Sequence, residues 1–212
     1  MTKILAQQRP SAAQCRLAAS LFQAIYHINV SEIFGLAPLI EELDLHTYDD
    51  ALGESPLLFA ARHDLPISVF ELLLPRSDPR KKNADNATAL ILAAWGSQPH
   101  TPDLIRLLLP LSDPMAVRKG GSSALHSAIE ATGARFSDAS AESISLLLPT
   151  SDLEQRNYDG RTPLELARVR SESAANLVLG EMARREAIAL AVEISTAAAI
   201  APAARGGFPP RL

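Results

Sequence analysis

Residues 72–79 read Leu-Leu-Leu-Pro-Arg-Ser-Asp-Pro, and nearly the same octad returns at residues 107–114 as Leu-Leu-Leu-Pro-Leu-Ser-Asp-Pro. A third copy, Leu-Leu-Leu-Pro-Thr-Ser-Asp, occupies residues 146–152. A motif that repeats at a spacing of this order is typical of a stacked array, in which no unit can bury its apolar face alone. Such arrays build long binding surfaces and seldom assemble a catalytic pocket, so the repeat favours a binding protein over an enzyme.

Each copy is followed, fourteen residues after its third leucine, by a related hexad, and a fourth hexad lies upstream of the first copy. The hexads begin at Ser55, Thr88, Ser123 and Thr162, at intervals of 33, 35 and 39 residues. A hydroxyl at these positions can accept hydrogen bonds from the free amides of a helix N-terminus. Pro56 and Pro163 follow at the first helical position, where a missing amide costs nothing. The pattern predicts a short helix after each of the four hydroxyl residues.

The triple leucines predict a second helix in each unit, which the prolines at 75, 110 and 149 should stop. Thr101-Pro102-Asp103 is a typical start for one of these helices, with Thr101 as the cap. The Asp of each Ser-Asp pair can bond its own nearby backbone, so we interpret these pairs as turns rather than as metal or acid sites. A left-handed backbone is expected ahead of each hexad, at Gly53, Asn86, Gly121 and Gly160.

The sequence of residues 157–164, Asn-Tyr-Asp-Gly-Arg-Thr-Pro-Leu, resembles the finger-and-helix motif of the ankyrin repeat, and Ser123-Ala124-Leu125-His126 keeps that family's histidine. The resemblance covers about residues 30–186. It implies an all-α, ankyrin-like helical solenoid of about five helix-turn-helix units with short hairpin or extended finger loops. The expected parts are capping helices or a degenerate repeat over 1–43, repeats over 44–172, a capping helix over 173–199 and a disordered tail over 200–212.

Composition limits the function further. Hydrophobic residues make up 47% of the chain and aromatic residues 5%, which favours packed helices over a β-sandwich. Cys15 is the single cysteine, which excludes an internal disulfide framework and fits a reducing, cytoplasmic compartment. The net charge of −4 argues against a general nucleic-acid binder. No stretch of sequence reads as a membrane span, and no nucleophile, metal-ligand spacing or phosphate loop predicts a catalyst or a cofactor.

The ankyrin resemblance implies that finger tips and the ends of the first helices bind a partner protein. Carried onto this sequence, the surface comprises Leu52, Glu54, Arg62, His63, Asp85, Trp95, Lys119, Glu130, Tyr158, Arg161, Val169 and Arg170. Trp, Tyr and Arg are the residue types that most often anchor protein interfaces. Trp95 has two readings, an interface anchor or a helix-end residue packed against the next loop. An acidic end is expected at Glu41, Glu42, Asp49, Asp50 and Glu54.

Other functions stay open at this point. Arg80-Lys81-Lys82 and Arg118-Lys119 allow nucleic-acid binding, which would show as a steep salt dependence. The loop over 131–141 makes the last interval between hexads six residues longer than the first, and it is either a neutral insertion, a second candidate binding element or the place where an enzyme site would have to lie. A structural subunit of a larger assembly is a third alternative. Among protein binders, an immunity or inhibitor protein and an effector secreted into another cell are both consistent with the sequence.

Overall fold

The computed structural model describes residues 11–41, 43–45, 48–50, 52–133 and 136–200, with side chains described as far as residue 196. Over these ranges the regular structure is helical, with no β-strand and an isolated antiparallel bridge between Val117 and Ser123. The prediction of an all-α chain is therefore confirmed. The expected tail lies, apart from Ile200, outside the described residues, as does Glu42 of the expected acidic end.

The N-terminal segment forms three helices, α1 (Ala12–Tyr26), α2 (Val30–Gly35) and α3 (Ala37–Ile40). After α1 this segment is divided into two short helices rather than one longer one. Leu36 closes α2, and Pro38, which has no amide to continue the helical ladder, stands in the first turn of α3. The described remainder forms helix pairs: α4 (Pro56–Arg62) and α5 (Ile67–Leu73), α6 (Ala89–Ala93) and α7 (Thr101–Leu108), α8 (Ala124–Ala131) and α9 (Asp138–Leu147), α10 (Pro163–Arg170) and α11 (Glu172–Ile200).

The predicted caps of the first helices are confirmed. The hydroxyls of the four hexads accept hydrogen bonds from the third helical amide at 3.4, 3.4, 3.4 and 3.3 Å, in Ser55, Thr88, Ser123 and Thr162 respectively. Thr101 does not act as the predicted cap of α7, because it is already the first helical residue and His100 holds the cap position. The Thr101 hydroxyl is buried and has no hydrogen-bond partner among the described residues.

The triple leucines place the middle leucine of each copy in the core, and in the third copy Leu148 is buried as well. Leu73, Leu108 and Leu147 are at most 1% exposed, and short 3-10 turns that contain the prolines follow at Leu74–Arg76, Leu109–Leu111 and Leu148–Thr150. The aspartates of the Ser-Asp pairs form the expected turns. In each turn the Oδ1 atom of the aspartate accepts a hydrogen bond from the backbone amide two residues later. The distances are 2.9, 3.0 and 2.9 Å for Asp78, Asp113 and Asp152. The octads thus end the second helix of each unit that contains one.

Packing runs in the order of the chain. α4 contacts α1 on one side and α6 on the other, and α8 lies in the same way between α6 and α10. Among the second helices, α9 contacts α7 and α11. The buried side chains form a single hydrophobic cluster that reaches from Ala18 in α1 to Val178 in α11. The core is therefore shared between neighbouring helix pairs.

The first part of helix α11, as far as Arg185, packs against the preceding helices. The second part, from residue 186 onward, does not, and it is called here the free half. Ala174, Ala175 and Val178 are buried against the last pair, and Arg185 donates bonds of 2.6 and 3.0 Å to the carbonyl oxygens of Leu148 and Ser151. Every side chain from residue 186 to residue 196 is exposed. None of the helices in the described part of the chain has the length and apolar character needed to cross a bilayer.

Candidate functional site

The candidate surface begins at four tight turns, here called the finger turns, that precede α4, α6, α8 and α10. Each is closed by a backbone bond of 3.0–3.1 Å that spans four residues: Asp50 to Glu54, Asn83 to Ala87, Arg118 to Ser122 and Asn157 to Arg161. The predicted left-handed positions are confirmed, with φ of 71° at Gly53, 59° at Asn86, 82° at Gly121 and 71° at Gly160. Each turn carries one exposed residue of the predicted surface: Leu52, Asp85, Lys119 and Tyr158.

Three finger turns are held by the side chain of their first residue. Oδ1 of Asp50, Asn83 and Asn157 each accepts two amides of its own turn, at distances of 2.8–3.1 Å. Asp50 is therefore a turn-forming residue rather than a free charge at an acidic end. Asp49 is not free either, because its carboxylate forms an ion pair with Lys81 of the next turn.

Neighbouring finger turns are bonded to each other. The amide of Ala84 donates to the carbonyl oxygen of Leu52 at 3.0 Å, and the amide of Lys119 donates to that of Asp85 at 2.7 Å. At the last junction Nε2 of Gln155 donates to the carbonyl oxygen of Gly121 at 3.2 Å, and a Cβ on Gly121 would lie only 2.3 Å from the carbonyl oxygen of Arg156. The finger turns thus form one connected row rather than independent loops.

The helix ends add a second row to this surface. Arg62, Trp95, Glu130 and Val169 each stand seven residues after the cap of their helix. The guanidinium of Arg62 donates to the Glu54 carboxylate, with two Nε bonds of 2.9 and 2.8 Å and a closer bond from NH2. Asn83 donates to the same carboxylate at 2.8 Å, across the junction between two units. This pairing raises the pKa of Arg62.

A similar connection is made one unit further on by Arg118. Its guanidinium carbon lies 5.3 Å from the centre of the Trp95 ring, and its NH2 group lies 3.5 Å from Oε2 of Glu130. The sequence allowed nucleic-acid binding through Arg118, Lys81 and the basic residues beside them. Both cations instead have protein partners, which weakens that alternative.

One residue that was predicted to lie at the surface is buried instead. Glu54 is fully buried, and the three-way contact with Arg62 and Asn83 occupies its carboxylate, so it cannot contact a partner. The structure places the other predicted residues at the surface to different extents. Leu52, Arg62, Asp85, Trp95, Lys119, Tyr158, Val169 and Arg170 are exposed, whereas His63, Glu130 and Arg161 are half-buried.

The two histidines near this surface are held by structure rather than presented to solvent. His63 packs against Phe59 with a ring-centre distance of 4.5 Å, and burial lowers its pKa, with nearby Arg62 adding to the effect. His126 is fully buried, and its Nε2 lies 3.1 Å from the carbonyl oxygen of Arg161 in the next unit. Burial lowers the pKa of His126 as well, so both rings are neutral at neutral pH.

The loop over 131–141 is shorter in the structure than in the sequence interpretation. α8 extends to Ala131 and α9 starts at Asp138, capped by Ser137. Phe136 is half-buried and packs against the hydrophobic core. The extra residues therefore lengthen α9 and brace the core, which does not favour a displayed binding loop.

An open cleft lies between the ends of α4 and α6. Its volume is about 330 Å³, its floor is formed by Ala61 and Leu92, and Arg62, Asp64 and Trp95 line its sides. The sequence interpretation missed Asp64 and Asn83. Aligning the units by their caps places Asn83 at the position of Asp50, which opens the preceding finger turn, but no sequence signal places Asp64 at the cleft.

No protein-family model matches this chain, and no curated protein sequence matches it either. Within the part of the chain that the structure describes, no group of three or more His, Cys, Asp or Glu side chains is arranged to hold a metal ion. What the surface can do has therefore to be argued from its own geometry. That geometry is a connected row of turns with aromatic and apolar side chains above it.

We expect Arg62→Ala to lower the free energy of unfolding by about 2–3 kcal/mol, because it leaves the buried Glu54 carboxylate without its cation. The value is below that of a fully buried pair, because the Arg62 side chain is 39% exposed and water can partly replace it. Urea denaturation followed by circular dichroism measures the change.

Arg161→Ala is the matched control, since this arginine lies 3.8 Å from a half-exposed carboxylate, Asp159, and should change stability by less than about 0.5 kcal/mol. Adding Glu54→Gln to Arg62→Ala should restore part of the loss. Equal effects of the two arginine substitutions would show that the Glu54 contact does not stabilise the fold.

Proposed function

We propose that this chain is an ankyrin-like helical solenoid that binds another protein through its finger turns and helix ends, without catalysing a reaction. The fold part of the proposal is supported by the 33–39 residue spacing of the capped helices and by the packing of each first helix against the first helices before and after it. Further support comes from the hydrogen bonds between neighbouring finger turns. Stacked units with a shared core have these features.

The observation that carries the binding proposal is the row of large side chains on the connected finger turns and helix ends. Leu52, Trp95 and Tyr158 are 53%, 52% and 87% exposed and lie on the same connected row. The arginines and carboxylates between them are mostly paired within the protein. A rigid, preorganised surface with exposed aromatic anchors fits recognition of a folded or extended polypeptide.

The proposed role is to inhibit or position the bound protein. Inhibition would mean that this chain covers the partner's active site, so that the partner loses activity on binding. Positioning would mean that it only tethers the partner, which keeps its activity. Both alternatives use the same surface. The exposed thiol of Cys15 is consistent with the proposed cytoplasmic location, where it would stay reduced.

Trp95→Ala should weaken binding of a partner captured from the native source by about 2 kcal/mol, or roughly 30-fold, if the indole is a buried anchor. Association and dissociation rates measured by surface plasmon resonance test this, and most of the change should appear in the dissociation rate.

Leu111→Ala is the control, because Leu111 is an exposed leucine, 39% accessible, that lies in the 3-10 turn after α7 rather than on the helix-end row. Its binding should match that of the parent. If Trp95→Ala also binds like the parent, the partner uses another face, and the free half of α11 becomes the surface to test.

A further inference from the structure

The cleft beside Trp95 contains a carboxylate that the fold does not fully use. Asp64 follows the end of α4 with a left-handed backbone, φ 52°, and its side chain is only 20% exposed. Its Oδ1 atom is buried and has no hydrogen-bond partner among the described residues. His100 is near, but its Nε2 lies 3.5 Å from Oδ1 and closer, at 3.2 Å, to the carbonyl oxygen of Asp64 itself.

This carboxylate is unfavourable for the isolated fold. Burial raises the pKa of Asp64, and the nearby His100 ring opposes that shift only in part. A buried acceptor without a donor costs free energy until a donor reaches it. The Asp64 carboxylate can therefore accept a further hydrogen bond, and a ligand would reach it at the 20% of its side chain that is exposed.

The charges around the cleft favour a cation. The guanidinium of Arg62 is neutralised by Glu54, and Asp50 and Asp85 act on it as well. The guanidinium of Arg118 faces Glu130. Both arginines are thus paired with a carboxylate, whereas the ion-pair partner of Asp64 among the described residues is a histidine, His100, at 3.5 Å, so an added cation is favoured over an added anion.

The walls suit the stem of a basic side chain. Trp95 offers an aromatic surface, and its ring already attracts one guanidinium, that of Arg118, at 5.3 Å. Ala61 and Leu92 form an apolar floor along which methylene groups can pack. The volume of about 330 Å³ lies at the low end of ligand pockets, which suits a side chain better than a cofactor.

We propose that this cleft binds a lysine or arginine side chain of the partner protein, with its stem against Trp95 and its charged head at the exposed part of the Asp64 carboxylate. The inference rests on the proposed protein-binding function and names the chemistry of one anchor residue of the partner. It also gives the Trp95 indole a defined role, as the wall that positions the stem.

The test uses the indole N–H resonance of Trp95, the only tryptophan of the chain, in NMR titrations of the whole 212-residue chain. The probes are N-acetyl-lysine-N-methylamide and the arginine equivalent, with the norleucine equivalent as a probe of nearly the same stem without the charge. The cationic probes should shift the resonance saturably in the millimolar range, and norleucine should not.

Asp64→Asn should weaken binding of both cationic probes by about tenfold or more, as expected when one partner of a partly buried charge pair is removed. The variant should fold, because asparagine tolerates the left-handed backbone and the burial of a charge is relieved. Asp103→Asn, which removes an exposed carboxylate of α7, should bind like the parent.

A shift that is equal for lysine and norleucine, or that survives in Asp64→Asn, would overturn the inference. The proposed function is tested separately with the captured partner. If the partner binds Asp64→Asn like the parent but loses affinity for Trp95→Ala, the basic anchor is wrong and the protein-binding surface stands. If the cationic probes bind but no partner depends on Trp95, the cleft is real and the proposed function fails.

Discussion

Leu108→Ala should lower the free energy of unfolding by about 2–5 kcal/mol, the range for removing a fully buried leucine side chain. Leu108 is 0% exposed and lies at the centre of a triple leucine, on the last turn of α7 before the 3-10 turn. The loss combines the transfer of the side chain from the core with the cavity left behind. Urea denaturation of both proteins, with the midpoint and slope fitted separately, measures the change.

Leu111→Ala is a close control, because it changes the same residue type three positions away, where the side chain is 39% exposed. It should change the free energy of unfolding by less than about 0.5 kcal/mol. If Leu108→Ala and Leu111→Ala shift the midpoint equally, the repeated leucines do not form the core that holds the units together.

Ending the chain after Ser171 should abolish cooperative unfolding, because it removes the whole of α11. Ala174, Ala175 and Val178 would no longer cover the last apolar face, where Leu166 and Ile144 lie. The terminal units of an array must supply such a cover for the array to stay folded and soluble. We expect aggregation or a broad, non-cooperative thermal transition by circular dichroism.

Ending the chain after Glu186 should instead leave the melting temperature within about 2 °C of the parent. This cut keeps the packed half of α11 and its bonds from Arg185 to Leu148 and Ser151. It removes only a segment whose described side chains, through residue 196, are exposed. If both truncated proteins have the same melting temperature, α11 does not act as the cover of the last apolar face.

Much of the fold could be predicted because its signals are local. A hydroxyl at Ser55 or Thr162 caps the helix that follows it, and Gly53 or Asn86 adopts the left-handed backbone of the turn it belongs to. These interactions reach only a few residues along the chain. The failures occurred where local signals competed, as at Thr101, where the hydroxyl that should have been a cap is one residue inside the helix.

The candidate site was predicted less completely, because its contacts cross between units. Exposure of Trp95 and Tyr158 follows from their place in the repeat, but the burial of Glu54 depends on Arg62 eight residues later and on Asn83 in the next finger turn. Likewise Asp64 reaches the cleft only because α4 and α6 end side by side. Distances between units are set by packing, which sequence spacing alone does not specify.

Gly121 limits how the units could be exchanged. The carbonyl oxygen of Arg156 lies 2.3 Å from where a Cβ would stand at this position, so any other residue would push two neighbouring turns apart. The equivalent place in the preceding turn is occupied by Asn86, which carries a side chain. A recombinant protein in which the unit containing Asn86 is spliced directly before the last unit would therefore have a steric clash at the new seam, and designs that permute or duplicate these modules should keep a glycine there.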